Sequence, residues 1–335
     1  MPDLNYLVSS LPDYVEQRRD VLIDAIQFGT PTIKRITPQT GIKTVGAINY
    51  LGVNVPLQDG KGCCLEPSGS AELSQRYITT AMIAKVIDIC PDTLLGKWPE
   101  YLVRVPADDR QSLPFEEYLL AAIIAETEDQ LETLIWQGDT GNSDLIDGFL
   151  TILAAENDVV TTNINSGVSA FQAVIQMIAH IPNKVLGMSP KIFVSPEFFV
   201  QLSLELVEKN LYHFAPDGNV ETLVFPGTRI EVINTPGLTG TSTLVASPLN
   251  NMFYGTDVED AERRFRIIYD EKCDNFRIKF RWNSGVQVAF PDRVVVGTLQ
   301  GTVVSPDANA ELASIAASVA ELADADHVYK TDEQA

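Results

Sequence analysis

The stretch NFRIKFRWNSGVQVAF, residues 275–290, alternates without a break from Phe276 to Trp282. Phe276, Ile278, Phe280 and Trp282 fall on one side and Arg277, Lys279 and Arg281 on the other, as the two-residue repeat of a β-strand requires. The expectation is a strand with an apolar, core-facing side and a cationic side. Just upstream, RRFRIIYDEKCD is a second run of the same kind, so residues 263–282 read as a hairpin turning near Lys272 to Asn275. Arg263, Arg264, Arg266, Arg277, Lys279 and Arg281 thus place six of the chain's 24 basic residues on one small sheet.

That patch belongs to a chain of 335 residues with 45 acidic residues and a net charge of -21. Phosphate contacts demand cationic surface, so the balance argues against a freestanding nucleic-acid binder. A nucleic-acid platform would also carry its aromatics on the cationic side for stacking, whereas here they lie on the opposite side. The better reading is a half-buried strand whose charged side pairs with something acidic. The length predicts two intertwined or successive domains, and a hydrophobic content of 45% supports a packed core.

The start, MPDLNYLVSSLPDYVEQRRD, has neither the charged opening nor the apolar run of a signal peptide. No stretch approaches the roughly 20 apolar residues of a membrane span, which predicts a soluble protein made in the cytosol without membrane contact. Cys63, Cys64, Cys90 and Cys273 form no C-x-x-C pair and lie far from His180, His213 and His327, so no zinc site is expected and Cys63 and Cys64 read as reduced thiols in a loop.

Working outward, residues 1–38 read as an arm, with a short helix around Val15 to Phe28. Residues 39–90 read as a projecting hairpin: a β-like run from Ile42 to Val55, the Gly- and Pro-rich loop LQDGKGCCLEPSGSAE, and a second extended run, LSQRYITTAMIAKVIDI. Residues 91–150 contain the clearest helix, 114–137, with Pro114 in its first turn, Glu116 and Glu117 where the helix dipole favours anions, and Gly138 beyond its end. Leu120, Ile124, Leu131, Leu134 and Ile135 mark its apolar face, and about 1.5 Å per residue gives a rod of roughly 36 Å. It carries six acidic residues (Glu116, Glu117, Glu126, Glu128, Asp129, Glu132) and no Lys or Arg, which makes it the natural counterpart of the cationic strand, in the same chain or the next. Residues 151–255 read as an α/β unit, 256–304 as returning β-strands, and 305–335 as an alanine-rich segment in which Leu312, Ile315, Val319 and Leu322 step at helical spacing.

The chain has no G-x-x-x-x-G-K-[ST] loop, no G-x-S-x-G elbow, no H-E-x-x-H and no G-x-G-x-x-G after a strand. GDTGNSDLIDG, residues 138–148, holds calcium-ligand residue types but misses the EF-hand order, and reads as a helix-ending turn. His180 and His213 lie among apolar residues and read as core or interface histidines. Glu116 and Glu117 are neighbours that face different directions on a helix, a solvated face rather than an acid and base pair. No catalytic residue, metal or cofactor is expected.

Arm, long hairpin, long acidic helix, α/β unit and terminal β-hairpin, in this order, resemble the major capsid protein of tailed bacteriophages, the α+β HK-97-type fold. The residues that carry the resemblance are FEEYLLAAIIAETEDQLETLIWQGD as the spine helix, KIFVSPEFFVQL as a strand and helix of the A-domain, RIEVINTPGL followed by NNMFYGTD, and the terminal NFRIKFRWNSGVQVAFPDRVVVG. It covers roughly residues 36–304 and is most like the coat proteins of phages infecting Bacteroidetes, including the crAss-like group. The resemblance implies a subunit of pentamers and hexamers on an icosahedral shell enclosing double-stranded DNA without sequence-specific binding. Portal, scaffold and auxiliary or decoration proteins would be its partners. It makes residues 39–90 the E-loop, 91–150 and 256–304 the P-domain, and 151–255 the A-domain, with the loop 212–226 near the capsomer axis. Arg264, Arg266, Arg277, Lys279 and Arg281 are then expected to meet acidic surface of the spine helix (Glu126, Asp129, Glu132) or of a neighbour's E-loop or arm. Lys61 at the hairpin tip is the position offered for the Lys–Asn crosslink of some relatives. An encapsulin-type nanocompartment shell is the alternative on the same fold, and an acidic α/β hydrolase the alternative from another class.

Overall fold

The computed structural model describes residues 25–57, 69–90, 115–142, 144–165, 168–211, 222–257, 265–270 and 275–299. Its strands form three sheets. In the first, β1 (Thr37–Gln39) runs parallel to β10 (Met252–Asp257), and β4 (Ala81–Ile89), β10 and β11 (Phe265–Asp270) all pair antiparallel with β12 (Asn275–Val288). At about 3.4 Å per residue, fourteen residues give β12 the length to serve two strands in succession on one edge. β11 takes Asn275 to Phe280 and β10 takes Asn283 to Val288, while β4 covers Phe276 to Ser284 on the other edge.

The second sheet has the order β5 (Val160–Ile164), β13 (Val295–Leu299), β9 (Thr243–Ser247), β6 (Lys191–Val194), β8 (Glu231–Asn234), β7 (Thr222–Val224). The third is the hairpin of β2 (Val45–Asn54) with β3 (Ser70–Thr79). The helices are α1 (Phe115–Gln137), α2 (Phe149–Ala155), α3 (Ala170–His180), α4 (Asn183–Leu186) and α5 (Pro196–Glu208). Local chemistry sets two of their starts. Ser195 Oγ accepts from Phe198 N–H before Pro196, and the Glu205 carboxylate of α5 accepts the first N–H groups of α3, from Ala170 at 2.8 Å and Phe171 at 2.9 Å.

Two cores share the second sheet. Ile192 and Val194 face a cluster with Val174 and Met177 of α3 and Leu202 and Leu206 of α5, whereas Phe193 between them faces the larger cluster under α1. That larger cluster joins Leu120, Leu131, Ile135 and Trp136 of α1 to Phe276, Ile278, Phe280 and Trp282 of β12. Trp136 is its hub, with ring centroids 5.3 Å from Phe149 and 5.1 Å from Phe193.

Two divisions drawn from the sequence are redrawn by the pairing. The run from Leu73 to Ile89 is not one hairpin arm: it breaks at Thr80, whose buried N–H donates to Thr44 O at 2.8 Å, and the second half leaves the hairpin to join β12. The division at residue 255 also fails, because β10 belongs to the first sheet and β13 to the second. Among the described residues the chain passes between these two sheets after β4, after β9 and once more after β12. The arm before residue 25, the hairpin tip with Cys63 and Cys64, Cys273, His213, His327 and the segment after residue 299 lie outside the described residues.

Candidate assembly surface

The alternation read in β12 places its side chains as expected: Phe276, Ile278, Phe280 and Trp282 are buried, and Arg277 and Arg281 are exposed with Lys279 half-buried. Side chains of directly paired residues stand on the same face of a sheet. The outer face therefore combines Arg277, Lys279 and Arg281 with Met82, Ala84, Val86 and Asp88 of β4 and with Arg266, Ile268 and Asp270 of β11. Met82, Val86 and Ile268 are exposed there, so the face is an apolar and cationic mosaic.

Arg277 meets an acid within its own chain. Its guanidinium donates to Asp88 in bidentate geometry, Nε to Oδ1 at 2.7 Å and Nη2 to Oδ2 at 2.9 Å, across a directly opposed pair. This bond holds the Asp88 carboxyl below the usual aspartate range. Asp88 was not singled out by sequence reasoning, because its place opposite Arg277 depends on the register of β4 with β12, 189 positions away.

The spine helix lies on the other side. Its apolar residues pack on the buried face of β12, and Lys85, on the inward side of β4, donates to Thr127 Oγ1 at 3.2 Å and Gln130 Oε1 at 3.1 Å. The expected pairing of Arg277, Lys279 and Arg281 with the helix of the same chain is thus corrected, since the sheet stands between them. Glu126 and Asp129 are exposed on the helix. Glu132 is not a surface group: it is 1% exposed and accepts from Thr32 N–H at 3.2 Å and from the Thr32 hydroxyl, while Trp136 Nε1 donates to Thr32 Oγ1 at 2.8 Å. Burial raises the Glu132 carboxyl above the usual range against the lowering effect of those hydrogen bonds. Its carboxylate fastens residues 30–36 to the helix, a role that its place one turn before Trp136 would have allowed. The side chains of Glu116 and Glu117, and all of Arg264 and Lys61, lie outside the described residues.

The hairpin presents the second exposed surface. Its even-numbered side docks on the body through Ile48 and Ile78, a Tyr50–Phe290 ring contact at 4.7 Å and an ion pair from Arg76 to Glu156. Its base crosses β12 at Gly285, where a Cβ would lie 2.2 Å from Thr79 O, so only glycine admits this approach. On the odd-numbered side Val45, Leu51, Leu73 and Tyr77 are exposed.

The remaining sequence candidates resolve into structure. His180 is an exposed helix-end residue with Nδ1 2.7 Å from Gln176 O, rather than a core histidine. In the 138–148 turn, Asp139, Asp144 and Asp147 accept from the turn's own N–H and hydroxyl groups, including Gly141 N–H at 2.8 Å and Thr140 N–H at 2.9 Å. Among the described residues no group of three or more His, Cys, Asp or Glu could hold a metal ion, and no helix is long and apolar enough to cross a membrane.

No protein-family model and no curated protein matches the chain by sequence. By structure it is similar to a chain of the satellite phage P4 procapsid, at 13% identity over 84% of this chain and 90% of that one, with a TM-score of 0.55. It is similar also to a chain of Gordonia phage Cozz, at 12% identity over 81% and 86% with a TM-score of 0.53. A third likeness is to the capsid of an empty GTA particle, at 11% identity over 80% and 89% with a TM-score of 0.51. Spine helix, hairpin and the two interleaved sheets, matched over most of the length of each of these chains, are those of the HK-97-type capsid fold, and this chain has that fold.

Proposed function

We propose that the chain is the coat protein of a tailed bacteriophage, a subunit that assembles with its own copies into pentamers and hexamers of an icosahedral shell around double-stranded DNA. The observation that carries the reading is the hairpin, whose outward side leaves Leu51 61% and Leu73 70% exposed beside Val45 and Tyr77. A lone two-stranded ribbon is marginal in water, and such a row of apolar side chains marks an interaction site. A neighbouring copy covers it. The mosaic of Arg266, Lys279, Arg281, Met82, Val86 and Ile268 faces acidic surface of another copy, either Glu126 and Asp129 of its spine helix or its hairpin or arm. Arg264 remains assigned to that contact, and Lys61 to a crosslink between copies, on sequence grounds. Each exposed pair is worth about 0 to 1 kcal/mol, so the effect is collective and salt-sensitive. The excess of acidic residues keeps the shell from gripping packaged DNA.

Affinity to the coat proteins of Bacteroidetes phages, and partnership with portal, scaffold and decoration proteins, belong to the same proposal and rest on the sequence resemblance. The test is negative-stain electron microscopy with sedimentation of the chain expressed alone and with its neighbouring genes. Closed shells or capsomer rings support the reading, and DNA inside them separates a phage coat from a nanocompartment. A small uniform oligomer under both conditions overturns it.

A further inference from the structure

Two patches on the second sheet's helices are left over once the hairpin and the cationic face are assigned. The first is a stripe on α5. Phe198, Phe199, Leu202 and Leu206 of this helix are buried, but Val200, Leu204 and Val207 are 57%, 57% and 58% exposed. At about 100° per residue these three lie roughly half a turn round from Glu205 and Lys209, the residues through which α5 reaches α3. Glu205 binds the α3 N-terminus and Lys209 sits 5.5 Å above the Phe171 ring. The stripe therefore faces away from α3, on the outer flank of the helical layer. Glu197 and Glu208 border it by the same spacing, with Glu208 exposed.

The second patch is the corner between α3 and β6. Leu186 and Met188 are 38% and 39% exposed there, beside exposed His180 and Lys184. The corner lies in a run without acid: between Asp158 and Glu197 the sequence has no Asp or Glu, in a chain with 45 acidic residues, and of its lysines Lys191 is ion-paired with Glu231 of β8 while Lys184 is the cation at the corner. One patch is apolar with an acidic border, the other apolar with a basic one.

We infer that the α5 stripe of one copy docks on the His180–Met188 corner of the next, a head-to-tail contact that repeats around a ring. Charge complementarity selects a second copy as the occupant, because each patch finds on the same chain the border it lacks. Two different patches, rather than one that meets itself, make the contact heterologous, and a heterologous contact closes into rings when its rotation allows. Apolar side chains at the centre supply the attraction and the charged border sets the register. The inference deepens the shell reading and rests on it.

The test uses the full chain in two variants, each checked for folding by circular dichroism and thermal unfolding. One carries Leu204→Glu with Val207→Glu in the stripe, the other Leu186→Glu with Met188→Glu in the corner. Each alone should lose rings and shells under conditions where the unaltered chain forms them. Mixed in equal amounts, they should sediment as a one-to-one complex that grows no further, joined by the intact stripe of one and the intact corner of the other. If the stripe glutamates lower the yield of folded chain, Leu204→Ala with Val207→Ala removes only apolar area, and should raise the concentration needed for assembly by at least about tenfold. Normal particles from either folded variant, or a mixture with no one-to-one complex, would overturn the docking and leave the shell reading standing. An unaltered chain that stays a small oligomer would sink the shell reading itself, and this inference with it.

Discussion

Thr32→Val tests how the first described residues are held to the spine helix. The Thr32 hydroxyl sits in a chain of bonds, accepting from Trp136 Nε1 and donating to the Glu132 carboxylate, in a site where all three residues are buried. Valine fills the same space with no hydroxyl. One hydrogen bond to a charged acceptor is lost, worth about 1.5 to 3 kcal/mol, and the indole N–H is left without its acceptor, at about 1 to 3 kcal/mol. The Thr32 N–H to Glu132 bond survives, and protonation of the carboxyl relieves part of the loss, so a net of about 3 kcal/mol is expected. Thr32→Ser, which keeps the hydroxyl and drops a methyl, should cost about 1 kcal/mol. Native-state hydrogen exchange of the unassembled chain reads the difference: residues 30–36 in the valine variant should exchange about 150-fold faster than in the unaltered chain, from about 3 kcal/mol at 1.4 kcal/mol per tenfold. If valine and serine variants exchange alike, the bond chain does not hold this segment.

Stability should also depend on pH through Glu132. Its folded value lies above the ordinary 4.5, so the native state holds a proton the unfolded chain has released; stability should fall as pH rises from about 4.5 to the raised value and then level off, a slope that Glu132→Gln should flatten. Glu128, raised by burial and partly lowered by Lys34, titrates on the same helix, so Glu128→Gln serves as the control. Arg277→Gln should return the Asp88 carboxyl upward toward 3.8, seen by NMR titration, with little change in global stability because the pair is exposed; an unmoved Asp88 would deny the bidentate bond. Gly285→Ala should drive a Cβ into Thr79 O and displace the hairpin base, measured as faster proteolysis near residues 79–81 while the second sheet keeps its exchange protection. Leu51→Glu with Leu73→Glu, a directly opposed pair, should lower the subunit's melting temperature by only a few °C and abolish particles, since these side chains lie mostly in solvent in the single chain.

Periodicity carried the sequence reading wherever one element had one environment. The spine helix and β12 were legible because their apolar residues recur at a single spacing and face a single core. Thr80 was missed because β-propensity runs unbroken through RYITTAMIAKV, and nothing local marks where a strand changes partners. The membership of β10 and β13 was missed for the same reason, as sheet identity depends on partners far away in sequence. For the candidate surface, sequence showed which side of β12 was charged but not what lay across it. Asp88 and the intervening sheet come from register, which is why the helix of the same chain was a mistaken partner. Glu132 was read by charge, while its burial follows from Thr32, 100 positions earlier.

The place of β12 in the first sheet also sets an order on synthesis. β4 is translated early, yet its partner arrives late: Asp88 and Arg277 are separated by 189 positions. β1 likewise waits for β10. While the chain is still on the ribosome, the early strands have no β12 to pair with, and the face formed by Met82, Val86, Arg266 and Arg281 does not exist. Nascent chains emerging side by side from one messenger RNA therefore lack that face until β12 has been made, and the fold itself delays premature association through it until then.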